Sequence, residues 1–148
     1  MTTAACRGAT LVDVLRDRSA EDAFRSFLIR FSHLTYLNSV VILELRAGAP
    51  TAQQARLLER KVIRRFTRMN RVFTPSADAF STAGRLLASL ATREGWTVDA
   101  EPSLMHDALL AASCRESGVT LITCDRDFAR FKNLLRGLRF AAPWPQVS

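Results

Sequence analysis

The sequence predicts an α/β fold in which helices flank a mostly parallel central sheet. Short β-branched or apolar runs, such as residues 119–123, alternate with longer stretches of helical periodicity. This alternation is typical of sandwiches built around parallel strands. The chain has 148 residues, of which 48% are hydrophobic and 24% charged. A chain of this size and composition can bury its own core, so we expect a single domain over residues 1–148.

The first third of the chain is predicted to hold two helices and one or two strands. Residues 10–15 are apolar and β-branched, and they fit either a strand or the first turn of a helix. Ser19 is the candidate cap of a helix over residues 20–32. Residues 36–42 are predicted to form a strand, and Ser39 could cap a helix that carries Glu44.

The remaining elements follow from apolar periodicity and from Gly, Pro and Ser at their ends. Residues 51–70 predict a helix whose buried stripe includes Ala55 and Met69, and residues 72–74 a short strand. Ser76 should cap a helix over residues 77–93 that carries Phe80, and Ser103 should start another that ends near residue 117. Residues 119–123 should be a buried strand, residues 128–135 a short helical stretch and residues 138–142 an edge strand closed by Pro143.

The charge and cysteine content limit the classes of function. A net charge of +7 favours a polyanionic partner, of which nucleic acid is the commonest, although an acidic protein or an anionic membrane also fits. Three cysteines without a C-x-x-C pair indicate neither a disulfide framework nor a zinc site. Cys114 and Cys124 are most simply small core residues. The chain shows neither a signal-peptide pattern nor an apolar run of membrane-spanning length, so we expect a cytoplasmic protein without a membrane partner.

The helix over residues 51–70 is strongly basic. Only one acid, Glu59, accompanies the cations between residues 56 and 71. This face is either a solvated surface or a contact for phosphate groups or an acidic partner. The candidate RNA-binding residues are Arg56, Arg60, Lys61, Arg64, Arg65 and Arg68.

Three acids are expected near the carboxyl ends of strands. Glu44 follows the predicted strand 36–42, Asp125 follows strand 119–123, and Asp107 lies on the preceding helix. Carboxylates gathered at that edge of a sheet would suit Mg²⁺ or Mn²⁺, which prefer oxygen ligands. Such an ion can activate a water molecule to attack a phosphodiester. Thr123 could support the site by a hydrogen bond, and Asp127 is either a further ligand or a surface acid.

The order of these segments resembles that of the PIN-domain family. Residues 38–49, in which a small-residue strand runs into a helix with Glu44, resemble its second acidic motif. Residues 106–113, where Asp107 precedes an alanine-rich helix, resemble the third. Residues 119–128, a strand ending in Thr123-Cys124-Asp125 and followed by Phe128, resemble the fourth. Within the family, the chain looks most similar to VapC-like toxins of type II toxin–antitoxin pairs.

The resemblance implies a fold, an activity and partners. It implies a PIN-like three-layer sandwich and a Mg²⁺- or Mn²⁺-dependent endoribonuclease. Catalysis would depend on Glu44, Asp107, Asp125 and Thr123, and metal binding on Glu44, Asp107, Asp125 and Asp127. The implied partners are an RNA substrate, a small antitoxin protein and a second copy of the chain.

The chain departs from the family pattern at its first motif. The family spacing places Arg7 where the first metal-binding Asp is expected, and it places Asp13 outside the site. An alternative is therefore a PIN-like module that binds RNA or an antitoxin without cutting RNA. A basic structural protein of a larger assembly is a third possibility. His106 is predicted to lie on a different face of its helix from Asp107 and to have no catalytic role, and His33 is predicted to lie on a helix surface.

Overall fold

The computed structural model describes residues 11, 14–123 and 125–142 together with the backbone of residues 4–6. Five strands form one sheet: β1 (Ala4–Cys6), β2 (Thr35–Asn38), β3 (Val72–Phe73), β4 (Thr120–Ile122) and β5 (Phe140–Ala141). The larger helices are α1 (Arg18–Phe31), α2 (Ser39–Ala47), α3 (Ala52–Leu58), α4 (Arg64–Arg68), α5 (Ala77–Glu94) and α6 (Ser103–Glu116). A short helix, α7 (Ala129–Lys132), follows a 3₁₀ turn at Arg126–Phe128. The prediction of an α/β sandwich is confirmed.

The sheet has the strand order β3-β2-β1-β4-β5, and every pair in it is parallel. Ala4 pairs with Thr35 on one side and with Thr120 on the other, so β1 is the central strand. The chain builds outward from β1 through β2 to β3, then crosses back to place β4 on the opposite side of β1. β5 is an edge strand, as predicted, while Pro143 lies outside the described residues.

The core lies between the sheet and its helices. Leu37 of β2 and Leu121 of β4 are fully buried, and so are Phe66, Phe128 and Phe131 from the helical layers. Helices α5 and α6 pack against each other more extensively than any other pair of described elements. Cys114 belongs to this core, and burial raises the pKa of its thiol to about 12. The prediction that Cys114 is a core residue is confirmed, whereas Cys124 lies outside the described residues.

Residues 39–42 are helical, so the predicted strand over residues 36–42 is wrong beyond Asn38. Asn38, rather than Ser39, caps α2 by accepting a hydrogen bond from the Val40 N–H at 2.9 Å. Packing of Val40 and Val41 in the core outweighs the modest preference of β-branched residues for strands.

Other predicted boundaries moved by a few residues. Asp17, rather than Ser19, caps α1, because its carboxylate accepts from the Ser19 N–H at 3.0 Å. Ser76 caps α5 as predicted. Residues 11 and 14–16 are helical, which decides between the strand and helix interpretations of that segment.

The helix predicted over residues 51–70 is interrupted by a π-helical segment, Glu59–Ile63, between α3 and α4. Leu58, Val62 and Phe66 are buried as predicted, but Ala55 and Met69 are exposed. Phe80 of α5 is also exposed, because the buried face of that helix runs through Ala79, Ala83 and Leu87 instead.

Candidate functional site

The candidate acids follow the two strands that flank β1. β2 ends at Asn38 and leads directly into α2, which carries Glu44. β4 ends at Ile122, just before Thr123 and Asp125. The order in which the chain adds strands to the sheet reverses at β1, with β2 and β3 on one side and β4 and β5 on the other. Ligands of open α/β sheets bind beside the carboxyl ends of strands at such a point.

Asp107 approaches the same edge from the helical layer. It lies on the second turn of α6, and α6 leads through a tight turn at Gly118 into β4. Because α6 runs antiparallel to the strand that follows it, the first turns of α6 are expected at the level of the carboxyl end of β4. The Asp107 side chain is only 2% exposed. A carboxylate this deeply buried requires compensation, and no buried side-chain polar atom among the described residues lacks a partner.

Glu44 is partly exposed and contacts a histidine that sequence reasoning set aside. His106 Nδ1 lies 3.4 Å from Glu44 Oε1, with the Glu44 side chain 25% exposed and that of His106 47% exposed. His106 thus lies on a different face of α6 from the buried Asp107, as predicted, but it contacts another of the candidate acids. The reason is that α2 packs against α6, so the face of α6 that carries His106 contacts Glu44.

The segment after β4 forms a compact turn. Thr123 Oγ1 accepts a hydrogen bond from the Asp125 N–H at 3.0 Å, and Asp125 Oδ1 accepts from the Asp127 N–H at 2.8 Å. Thr123 is buried, Asp125 is partly buried and Asp127 is exposed. Thr123 thus fixes the backbone at Asp125, and a hydrogen bond from its hydroxyl to a carboxylate or a water molecule stays a prediction.

Two further polar residues, Asn38 and Ser113, connect the elements that carry the acids. The fully buried Asn38 side chain donates from Nδ2 to Ser113 Oγ at 3.0 Å, while its Oδ1 caps α2. One amide therefore joins the end of β2, the start of α2 and the middle of α6. The sequence feature that could have predicted this role is Asn38 itself, a helix-capping residue type at the end of an apolar strand.

The donor chemistry of this edge suits a hard cation, since carboxylate and hydroxyl oxygens predominate. Within the described ranges, however, no three His, Cys, Asp or Glu side chains come close enough together to hold a metal ion. Arg7 and Asp13, on which the departure from the family pattern rests, lie outside those ranges.

The basic helix contributes to two depressions rather than to one stripe. The larger is a groove of about 680 Å³ between α1 and the segment from Arg60 to Met69. We call it the basic groove; six of its eleven lining residues are cationic, namely Arg25, Arg60, Lys61, Arg64, Arg65 and Arg68. Arg56 instead lines a neighbouring depression, which also includes Arg60 and Arg64.

Both acids near the basic helix are engaged in ion pairs. Glu59 accepts from Arg46 Nη2 at 2.7 Å, which ties the π-helical segment to α2. Glu21 accepts from Lys61 Nζ at 2.8 Å within the basic groove. The Lys61 ammonium, together with Arg25 and Arg18, lowers the pKa of the Glu21 carboxyl.

An uncharged groove lies on another face, beside the Glu44–His106 contact. Its lining comes from α2, α5, α6 and residues 74–75, and it contains no Asp, Glu, Lys or Arg. Three large apolar side chains are exposed here: Leu43 (57%), Phe80 (59%) and Met105 (45%). We call this surface the apolar face. A cluster of exposed apolar side chains is typical of a protein–protein contact.

The comparison with protein families identifies the class of protein. The model of the PIN domain matches residues 10–134, and the chain therefore belongs to the PIN-domain family. No curated protein matches the chain significantly. In the part of the chain that the structure describes, no helix is long and apolar enough to cross a membrane.

Solved structures share the whole fold at low sequence identity. DNA-bound VapBC from Salmonella typhimurium matches with a TM-score of 0.70 and 17% identity, over 96% of this chain and 98% of that one. FitAB bound to an IR36 DNA fragment matches with a TM-score of 0.66 and 15% identity, over 98% of both chains. VapBC2 from Rickettsia felis, bound to a promoter DNA fragment, matches with a TM-score of 0.64 and 17% identity, over 94% of this chain and 97% of that one. At these identities, the likeness establishes the fold.

Proposed function

We propose that the protein is a divalent-metal-dependent endoribonuclease that acts as the toxin of a toxin–antitoxin pair. What supports the proposal is the membership of the PIN-domain family together with the order of the elements, in which Glu44 lies on the helix after β2, Asp125 follows β4 and Asp107 lies on the helix before β4. In a PIN domain whose fold matches those of VapBC and FitAB, the edge of the sheet at the carboxyl ends of its strands is the expected site of chemistry.

The candidate ligands of Mg²⁺ or Mn²⁺ are Glu44, Asp107 and Asp125, with the exposed Asp127 as an additional ligand, and their side chains would have to close around the ion because no three of them form a cluster in the part of the chain that the structure describes. When bound, the ion would supply an activated water molecule and stabilise the leaving oxygen of the phosphodiester. Thr123 holds the Asp125 backbone in position, and Asn38 sets the helix that carries Glu44 against the helix that carries Asp107. These contacts fix the backbone segments from which the carboxylates of Glu44, Asp107 and Asp125 extend.

RNA would bind through the cations of the basic helix. Arg60, Lys61, Arg64, Arg65 and Arg68 line the basic groove, and Arg56 extends the positive surface beyond it. Contacts of this kind position a phosphate backbone without reading its sequence.

The partners would be a small antitoxin protein and a second copy of the chain. VapBC and FitAB, which share the fold, motivate the antitoxin. The apolar face suits self-association, because two chains of net charge +7 can meet there without bringing arginines or lysines together.

A second candidate function is an RNA- or antitoxin-binding module without nuclease activity. The sequence favours it at one position, because Arg7 stands where the family resemblance expects the first metal-binding Asp. A cation there would replace a ligand and repel a metal ion.

Metal-dependent cleavage separates the two functions. Asp107→Asn keeps the shape of the side chain but removes its charge, so we expect cleavage of single-stranded RNA in Mn²⁺ to fall at least about a hundredfold. Asp99→Asn is the matched control, since Asp99 is an exposed acid in the turn between α5 and α6 and is not a candidate ligand, and it should leave the rate unchanged. Cleavage that persists in Asp107→Asn would contradict the proposed site. RNA binding with no metal-dependent cleavage by the wild-type chain would favour the binding module.

A further inference from the structure

Among the described residues, Glu21 is the only acid that lines the basic groove. We propose that its carboxylate occupies a phosphate position in the groove and competes with RNA, so that Glu21 weakens the affinity of the protein for nucleic acid. This inference rests on the proposed RNA binding and names a residue that regulates it.

The contacts of Glu21 are those that a phosphate oxygen would make. Its Oε2 accepts from Lys61 Nζ at 2.8 Å, and its Oε1 lies 3.6 Å from Arg25 Nη2. Charge-assisted bonds from Lys and Arg serve carboxylates and phosphates alike. The Glu21 and Lys61 side chains retain 24% and 26% exposure, so a ligand in the groove can reach both.

The remaining cations follow the axis of one helical segment. Arg60, Arg64 and Arg68 recur every four residues, as do Lys61 and Arg65. Arg64 and Arg68 lie on α4, where four residues advance by about 6 Å, and Arg60 and Lys61 precede them on the π-helical segment, so the charges follow one another along the chain axis. A linear arrangement of this kind suits the repeating charges of a nucleic-acid backbone, which we therefore favour over an acidic peptide as the occupant.

Removing the charge of Glu21 should strengthen RNA binding. Glu21→Gln keeps the size of the side chain and releases Lys61 and Arg25 for phosphate contacts. We expect the dissociation constant for a labelled single-stranded RNA oligonucleotide to fall about threefold to tenfold. The slope of log K against log salt should also steepen by about one, because the one phosphate position that the Glu21 carboxylate occupied becomes available to RNA.

Asp78→Asn is the matched control. Asp78 is an exposed acid in the first turn of α5 and does not line the groove, so this change adds the same unit of charge elsewhere. Asp78→Asn should change the dissociation constant for the RNA oligonucleotide by less than about twofold. Arg64→Gln, which removes a groove cation outside the Glu21 ion pairs, should weaken binding.

The measurement is fluorescence anisotropy on the full chain in EDTA, which makes it independent of metal and of cleavage. Tighter binding by Glu21→Gln than by Asp78→Asn would support the inference. Equal effects of the two changes would overturn it, since charge alone would then explain the gain. A gain for oligoglutamate but not for RNA would overturn it in favour of an acidic protein partner. If no variant bound RNA, the groove would fail as an RNA site, while the metal-dependent cleavage test would still decide the nuclease proposal separately.

Discussion

Asn38 joins three elements of the site through one buried amide. Its Oδ1 accepts from the Val40 N–H, and its Nδ2 donates to Ser113 Oγ. Both bonds are buried, where an unmade hydrogen bond costs more than one at the surface. Because Glu44 and Asp107 lie on the two helices that this amide connects, their relative position depends on it.

Replacement of Asn38 should therefore cost stability. Asn38→Ala removes a helix cap and leaves Ser113 without its partner, so we expect the free energy of unfolding to fall by about 1–3 kcal/mol. Ser113→Ala should cost less, because the cap to Val40 survives. Urea denaturation measures both. Asn133→Ala, at an exposed position after α7, should change the free energy of unfolding by less than about 0.5 kcal/mol. A change as small as this in Asn38→Ala would contradict the proposed role of Asn38.

The contact between His106 and Glu44 shows the limit of single-helix reasoning at the residue scale. On α6 alone, His106 lies beside Asp107 and turns to a different face. The packing of α2 against α6 turns that face toward Glu44. Sequence periodicity gives the direction of a side chain from its own helix, but it does not identify what packs there.

At the scale of elements, the strongly patterned helices were the most predictable part. Both α5 and α6 begin at the predicted residues: Ser76 caps α5, and α6 begins at Ser103. The short β2–α2 segment was mispredicted, since a run of Val40, Val41 and Ile42 fits a strand as well as a buried helix. The π-helical segment Glu59–Ile63 had no signal in the periodicity of its apolar residues.

The apolar face belongs to three helices and gives a test of self-association. Phe80→Glu replaces an exposed apolar side chain of this face by a charge beside Leu43 and Met105. We therefore expect the dimer dissociation constant to rise at least about tenfold. Analytical ultracentrifugation over a range of concentrations measures it. Ile29→Glu is the control, because Ile29 is an exposed apolar residue on α1, outside this face. A wild-type chain that stays monomeric, or equal effects of both changes, would exclude this face as the dimer contact.

At the scale of the whole molecule, the sequence predicted the parallel α/β architecture and the family. Alternating strands and helices are encoded locally, and the PIN-domain match over residues 10–134 confirms the family. The basic groove was only partly predictable. The cations on residues 56–68 were visible in the sequence, whereas the contributions of Arg25 and Glu21 from α1 depend on how two helices pack.

The same limit applies to the metal site. The order of Glu44, Asp107 and Asp125 along the chain predicted which strand ends would carry acids, and these residues lie on the expected elements. Whether they hold an ion depends on side-chain separations set by tertiary packing and on residues 7–10, which lie outside the described ranges. The metal ligands, the RNA substrate and the antitoxin therefore remain proposals.

Calorimetric titration of the wild-type chain with Mn²⁺ tests the central claim most directly, beside an Asp107→Asn/Asp125→Asn double variant. We expect a binding signal in the wild type that disappears in the double variant, because two of the proposed oxygen ligands lose their charge. A wild-type chain that binds no Mn²⁺ would contradict the claim and favour the binding module. Binding that survives in the double variant would place the ion elsewhere on the protein.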